Sequence, residues 1–436
     1  MTELSVELYG RRIGTLVGVR DKFDFTPDPD AVRRYGRAST ILSLALPLVT
    51  SPRADGLANR RNFFEEILAE GTARTRLADI ARLDDDNTLA LLRRYGRDVA
   101  GALQIWDPTD PAEPRTPSTA PISAARVREL LAEVKRAPIG NTSARRMSLL
   151  AGVQDKIVLV LTNDGWAEPL DGYPSTHILK PVVTGLPSVI FDEEYGARLA
   201  RHLGLADFDT HIEQFDGVSA LVIERYDRGP DGRIHQEDFN QALGLRGDAK
   251  YEANGNPGLV AIANLLRESV GRRAVEGLLR MTTLSIAVGN LDMHAKNISI
   301  LHLPDGTTQL APMYDIVPQM HQPFDKDFAF AINGTYTHSG ITRDDLEAEG
   351  RGWGLRNSGA IVDRTLDQIA EFAAGERPLP GAHHALAGDV MRFCRNLLDG
   401  RGASAAESFI EKQNTKPETK LPRTREAEGG WGGPLR

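Results

Sequence analysis

One cysteine, Cys394, in 436 residues excludes an internal disulfide and fits a reducing compartment. A basic excess is also missing. Sixty Asp and Glu against 52 Lys and Arg give a formal charge of −8 and a pI near 5.8, which argues against binding DNA unaided. Long apolar runs are absent too. The longest, around Ile41 to Val49, is interrupted by Ser43 and Pro47 and is far too short to span a bilayer. The start, Met1-Thr2-Glu3-Leu4, lacks the basic-then-apolar pattern of a signal peptide. No internal repeat is visible. The remainder, 41% hydrophobic and 26% charged, is ordinary for a soluble globular chain. The expectation is a cytoplasmic protein of two or three packed units that does not engage a membrane.

Hydropathy patterning divides the chain. Residues 1–105 read as a small α+β unit: Leu4, Val6 and Leu8 alternate with polar residues, a turn at Gly10-Arg11-Arg12 follows, and Ile13 to Val19 forms a second strand. Phe63, Phe64, Ile67 and Leu68 then recur at helical spacing. Five prolines between Pro108 and Pro121 predict a linker over residues 106–122. Ser123 is a candidate N-cap for a helix with Val127, Leu130, Leu131 and Val134 on one face. Ile157 to Leu161 predicts a strand closed by the hairpin signal Asn163-Asp164-Gly165. A later strand ends at His177-Ile178-Leu179-Lys180. Phe191, Tyr195, Leu199 and Leu203 then repeat every four residues and stop at Gly204, a C-cap signal. Leu221-Val222-Ile223 is another strand, completing a lobe over 123–228. Residues 229–412 read as mainly helical, with one hairpin around Pro304-Asp305-Gly306, and 413–436 as a disordered tail rich in Pro, Gly, Lys and Glu.

The chemistry concentrates in two patches, Asn290-Leu291-Asp292-Met293-His294-Ala295-Lys296-Asn297 and Tyr314-Asp315. Asp292 and Asn297 stand five positions apart, and Asp315 follows eighteen after Asn297. The first gap equals that of the kinase catalytic loop, Asp-x-x-x-x-Asn. Phosphoryl transfer needs a carboxylate to orient a hydroxyl, then an amide and a second carboxylate to hold magnesium on a nucleotide. Each residue alone has a plainer reading, as a capping, strand-entry or turn residue. Their spacing behind a nucleotide-lobe pattern favours the functional one and predicts use of ATP and Mg²⁺. Lys180, closing an apolar strand, is placed to neutralise phosphate charge, with Glu194 as a candidate partner and Asp192 and Glu193 equally available. Glu224-Arg225-Tyr226-Asp227 reads as a hinge, where Glu224 and Tyr226 can contact adenine and Asp227 ribose. A metal site of Asp292, His294 and His302 finds no support in an H-E-x-x-H motif or a Cys-His cluster. The loop Ala151 to Lys156 has one glycine, Gly152, and matches no phosphate-cradle motif.

Together these segments resemble the HipA family, the kinase toxins of bacterial toxin–antitoxin modules, over roughly residues 3 to 400. The resemblance rests on Gly96-Arg97-Asp98-Val99-Ala100-Gly101-Ala102, Ala151-Gly152-Val153-Gln154-Asp155-Lys156 and His177-Ile178-Leu179-Lys180-Pro181. It continues through Glu224-Arg225-Tyr226-Asp227-Arg228, His235-Gln236-Glu237-Asp238, the Asp292 to Asn297 loop and Tyr314-Asp315. It implies an α+β, bilobal protein-kinase-like fold with a small N-terminal subdomain and a mostly helical C-terminal lobe. It implies ATP and magnesium, a HipB-like helix-turn-helix antitoxin that carries DNA binding and contacts residues 1–105, and a protein substrate such as an aminoacyl-tRNA synthetase. Carried over, Asp292 is the catalytic aspartate, and Asn297 and Asp315 are the metal ligands. Gly152, Val153, Gln154, Lys156, Lys180, Glu224, Tyr226, Asp227, His294 and Lys296 line the nucleotide site. The family's Ser-x-Ala-Gly autophosphorylation loop departs here to Ser148-Leu149-Leu150-Ala151-Gly152, leaving Ser148 as the candidate serine, with Arg145 and Arg146 near enough to pair a phosphate. Two rivals are a small-molecule kinase of related architecture and a non-catalytic pseudokinase serving as a co-repressor with a helix-turn-helix partner.

Overall fold

Period-two burial builds the first sheet. Leu4, Val6 and Leu8 of β1 (Thr2–Leu8) are fully buried, and the Tyr9-Gly10 turn, both residues at positive φ, returns the chain into β2 (Arg11–Val19). With β3 (Lys22–Pro27) and β4 (Leu103–Trp106) these strands form an antiparallel sheet in the order β3-β2-β1-β4. Its core is shared with α1 (Pro29–Tyr35), α2 (Leu57–Glu66), α3 (Gly71–Ala81) and α4 (Thr88–Tyr95), through Phe25, Phe63, Phe64, Leu92 and Tyr95. The structure is a computed structural model that describes residues 1–133, 155–323 and 325–406.

A second antiparallel sheet has the order β5-β7-β6-β8-β10-β9. Its strands are β5 (Ser118–Pro121), β6 (Ile157–Thr162), β7 (Gly165–Leu170), β8 (His177–Pro181), β9 (Thr210–Phe215) and β10 (Val218–Glu224). The proline-rich stretch expected to be only a linker thus ends in a strand. β5 lies at the sheet's edge, where a proline without an N–H is tolerated. Helix α5 (Ala124–Glu133) begins after Ser123, whose Oγ accepts from the Arg126 N–H at 3.3 Å, and buries Val127, Leu130 and Leu131 against this sheet. Helix α6 (Val189–His202) follows β8 and ends before Gly204, at φ +65°.

The remainder is mainly helical. After the ribbon β11 (Arg228–Gly229) and β12 (Gly232–Arg233) come β13 (His235–Asp238), the short α7 (Phe239–Ala242), α8 (Leu259–Ser269) and α9 (Arg272–Val288). Strands β14 (Ser299–His302) and β15 (Thr308–Leu310) form the predicted hairpin, which β13 extends to three strands. The expectation of continuous helix beyond it needs correction. β16 (Asp327–Ile332) and β17 (Thr335–Thr337) make a further hairpin before α10 (Arg343–Gly352), α11 (Ser358–Gly375) and α12 (Leu386–Leu398). These helices and α6 to α9 share one large core that includes Tyr195, Phe239, Leu284, Phe330, Trp353, Leu366 and Val390. No helix among the described residues is long and apolar enough to cross a membrane.

Candidate active site

The helical region ends α9 at Gly289, whose φ of +69° turns the chain sharply into the loop carrying Asp292. Within that loop Asn297 folds back. Its Nδ2 donates to the Asp292 carbonyl at 2.8 Å, so its amide nitrogen is committed and its Oδ1 is presented as an acceptor. The hairpin β14–β15 then carries the chain to Tyr314-Asp315. The Tyr314 hydroxyl donates to the Lys296 carbonyl at 2.7 Å and lies 2.6 Å from Ser299 Oγ, clamping the two patches together. Asp315 sits at φ +58°, a costly conformation for a non-glycine residue, and its carboxylate is about a third exposed.

Lys180 of β8 meets Asp315 from the other sheet. Its Nζ is 2.5 Å from Asp315 Oδ1 and 2.6 Å from Glu193 Oε1. The predicted partner, Glu194, instead pairs with Arg198 one turn along α6, at 2.8 Å. Glu193 is the inward residue because it shares a face with Gly196, three positions on, where α6 touches the segment after Asp315. A Cβ at Gly196 would lie 2.3 Å from the Ile316 carbonyl oxygen. The small residue marks this close approach, and it is the sequence signal that could have selected Glu193.

Charge is unevenly shared among these groups. Burial opposes ionisation of both Lys180 and Asp315, but their mutual attraction, with Glu193 also acting on Lys180, outweighs it. The lysine is raised above its ordinary value and the Asp315 carboxyl is held down at about 2. One lysine does not neutralise two carboxylates, and Glu193, fully enclosed, is pushed up to about 7 by burial. Lys156, just ahead of β6, is lowered to about 8 by burial and by the Lys180 ammonium. The two lysines lie near enough to act on each other's charge, with Asp315 and Glu193 as their shared counter-charges.

Asp292 is about half exposed and accepts a hydrogen bond from the Tyr251 hydroxyl at 3.1 Å. Burial, then the Asp315 charge, raises its carboxyl to about 6. His294 Nε2 lies 3.9 Å from Asp292 Oδ2, and its ring meets Tyr251 edge-on at 5.2 Å. Burial lowers His294 to about 4, which keeps it neutral at pH 7. His302 takes no part in this group, being bound to Glu237 at 2.8 Å.

Asp315 therefore lies close enough to Asp292, His294, Lys156 and Lys180 to act on their charge, and Asn297 is bonded to the Asp292 main chain. Two other expected nucleotide contacts are engaged elsewhere. Lys296 turns away to Glu66 Oε2 at 2.8 Å and Glu70 Oε1 at 2.5 Å, tying the loop to the end of α2 and the residues just after it. Glu70 also holds Lys250 at 2.7 Å, next to Tyr251. Asp227 is buried and fully engaged, accepting from Arg225 Nε at 2.9 Å and from the Gly101 N–H at 2.7 Å, with Arg228 at 3.1 Å. Its carboxyl is held well below the ordinary range by Arg225 and Arg228 despite burial. Glu224 is exposed at the end of β10, with its N–H given to the Asp209 carbonyl at 2.9 Å. Tyr226 stacks on Tyr314 at 5.6 Å. Ser148, Gly152, Val153 and Gln154, together with Val134, lie outside the described residues.

A strand lysine bridged to a helix glutamate and to an aspartate beyond a hairpin, beside an Asp-x-x-x-x-Asn loop, defines a protein-kinase-like fold. Comparison with known proteins narrows this. The model of the HipA N-terminal domain matches residues 4–106, and that of the HipA-like C-terminal domain matches residues 148–374. The serine/threonine-protein kinase toxin HipA of Shewanella oneidensis is 28% identical over 407 residues, covering 86% of this chain and 91% of that one. The protein Y4mE of Sinorhizobium fredii is 35% identical over 350 residues, 76% of this chain and 82% of its own. The solved complex of Shewanella oneidensis MR-1 HipA with HipB and its operator DNA contains a chain that aligns with a TM-score of 0.72 at 26% identity, covering 91% of this chain and 98% of that one. The chain belongs to the HipA family.

Proposed function

We propose that this protein is an ATP-dependent serine/threonine kinase toxin of a HipA-like toxin–antitoxin system. The observation that carries the reading is Lys180 held between Glu193 and Asp315, with Asp292 near enough to feel the Asp315 charge and Asn297 bonded to the Asp292 main chain. The donor set fits magnesium: Asp315 keeps its Oδ2 outside the Lys180 contact and Asn297 offers Oδ1, two hard oxygens of the kind that ion takes alongside phosphate and water. When bound, the metal–nucleotide supplies an electrophilic γ-phosphate with part of its charge neutralised. Lys180 and Lys156 supply the remaining positive charge. Asp292, with Oδ1 fixed by Tyr251, uses its other oxygen to accept the acceptor hydroxyl's hydrogen bond and aim it. Gly152, Val153 and Gln154 complete the nucleotide site in this reading, and Ser148 is the autophosphorylation candidate.

The relative named for HipB and operator DNA supports a helix-turn-helix antitoxin for this chain, contacting residues 1–105, with operator DNA reached only through it. The acidic charge of −8 supports the same division of labour. The target is a cytoplasmic translation protein such as an aminoacyl-tRNA synthetase, and its modification arrests growth. Incubating the full chain with γ-labelled ATP, magnesium and a cell lysate tests the reading. A labelled protein bearing phosphoserine or phosphothreonine is expected. Nucleotide binding with no labelled protein would favour the pseudokinase instead.

The pH profile gives a second check. Asp292 must be ionised to accept a proton or hydrogen bond, so kcat/KM falls as pH drops through about 6. The Tyr251 hydroxyl favours the ionised form, and Tyr251→Phe shifts this acidic limb to higher pH. A limb that stays in place in the variant would contradict the assignment.

A further inference from the structure

Residues 1–105 hold no group of the phosphate chemistry, yet their acidic side chains reach the neighbours of Asp292 from two directions. The first runs through the turn Gly247–Lys250 and Arg246 before it, which lie against Glu65, Glu66 and Glu70 between α2 and α3. Arg246 Nη2 is 2.6 Å from Glu65 Oε1, the Gly247 N–H donates to Glu66 Oε1 at 2.8 Å, and Lys250 Nζ donates to Glu70 Oε2 at 2.7 Å. Tyr251 comes next and donates its hydroxyl to Asp292. The second direction is Lys296, inside the Asp292 loop, which Glu66 and Glu70 share. Glu70 belongs to both sets.

The contacts of Glu70 fix a direction as well as bridging two units. Its side chain is 20% exposed and that of Lys250 only 7%, so the pair is held among packed neighbours. Burial opposes ionisation of Glu70, but Lys296 and Lys250 outweigh it and hold the carboxyl down at about 2. The Lys250 ammonium also lies 5.4 Å from the centre of the Tyr251 ring, while His294 meets that ring edge-on. Held this way, Tyr251 reaches Asp292 Oδ1 at 3.1 Å and leaves Oδ2 for an acceptor hydroxyl. Lys296 keeps Glu66 at 2.8 Å without Glu70. The arm that depends on Glu70 is therefore Lys250, Tyr251 and Asp292.

We infer that Glu70 is a positioning residue for phosphate transfer: through Lys250 it fixes the Tyr251 hydroxyl, and with it the direction in which Asp292 meets the acceptor. The inference rests on the kinase reading for the role of Asp292, and it makes residues 1–105 part of the active site. A bridge that only joined two units would cost stability when cut and leave the turnover of folded molecules unchanged. A positioning residue costs turnover, since a misplacement of about 1 Å is worth up to ~10²-fold in rate.

Glu70→Gln in the full chain tests this, and Lys250→Met cuts the same arm from its other end should the first variant fail to fold. The initial rate of label transfer from γ-labelled ATP to lysate protein is measured at saturating nucleotide and well above the acidic limb of Asp292. It falls roughly ten- to hundredfold in either variant, with nucleotide affinity as in the wild type. In a Tyr251→Phe background the same substitutions change the rate little further, because the hydroxyl they position is gone. A wild-type rate in the folded variants, or factors that simply multiply with that of Tyr251→Phe, overturns the inference. Amide hydrogen exchange reads the same arm without catalysis: protection at Tyr251 and at residues 291–297 drops in Glu70→Gln, while α9 and β8 keep theirs. A wild type that transfers no phosphate sinks the kinase reading. Exchange then decides by itself, a local loss of protection leaving the hold of Glu70 on Asp292 standing and unchanged protection removing it.

Discussion

Asp292→Asn is expected to lower phosphate transfer to protein by about 10²- to 10⁴-fold, the usual contribution of a positioned acid–base group. Nucleotide binding and the fold should survive, for two reasons. Asp292 is about half exposed, so the isosteric amide strands no buried charge. The loop is also held by contacts that the substitution leaves alone, since Asn297 Nδ2 bonds the Asp292 main-chain carbonyl and Tyr314 bonds the Lys296 carbonyl. Growth arrest on induced expression should be lost together with transfer. Comparable transfer by wild type and variant, at equal melting temperature, would remove Asp292 from the chemistry.

Lys296→Met has the largest expected effect on stability. The ammonium is enclosed between Glu66 and Glu70, and burial is outweighed by Asp238, Glu66 and Glu70, so its pKa is raised. Removing it leaves Glu66, itself buried, without its cation. Breaking a buried pair in this way costs about 3–5 kcal/mol. The loss should appear as a lower urea midpoint. Adding Glu66→Gln to the variant should recover part of it, because the amide needs no counter-charge. Full stability in Lys296→Met alone would contradict the pairing. The same contacts give residues 1–105 a physical hold on the Asp292 loop, through Glu70, which also binds the lysine preceding Tyr251.

Legibility from sequence followed the range of the interactions. Elements written in local patterns were readable: the helix stopping at Gly204, the hairpin at Asn163-Asp164-Gly165 and the strand carrying Lys180 all stand where the patterns put them. The hairpin β16–β17 carried a local signal that the reading passed over. Phe328, Phe330 and Ile332 alternate with small or polar residues up to Asn333-Gly334, both at positive φ, which is a strong hairpin signal lost inside a mainly helical stretch. Contacts between distant segments were not readable. Lys296 meets Glu66 across 230 positions, and Asp227 meets the Gly101 N–H across 126. A motif residue can serve the cleft or the framework, and spacing along the chain does not distinguish the two. Lys180 and Glu193 fall between these cases: the lysine was marked by its strand, and its partner only by the small Gly196 on the same helical face.

Phosphate transfer in this protein depends, as proposed, on Asn297 and Asp315 offering their oxygens to a divalent ion that a nucleotide shares. The most direct test is calorimetric titration of a non-hydrolysable ATP analogue, with magnesium and with chelator, into the wild type and Asn297→Ala/Asp315→Asn. Magnesium is predicted to strengthen binding to the wild type and to make little difference to the double variant. An equal magnesium enhancement in both proteins would contradict the account.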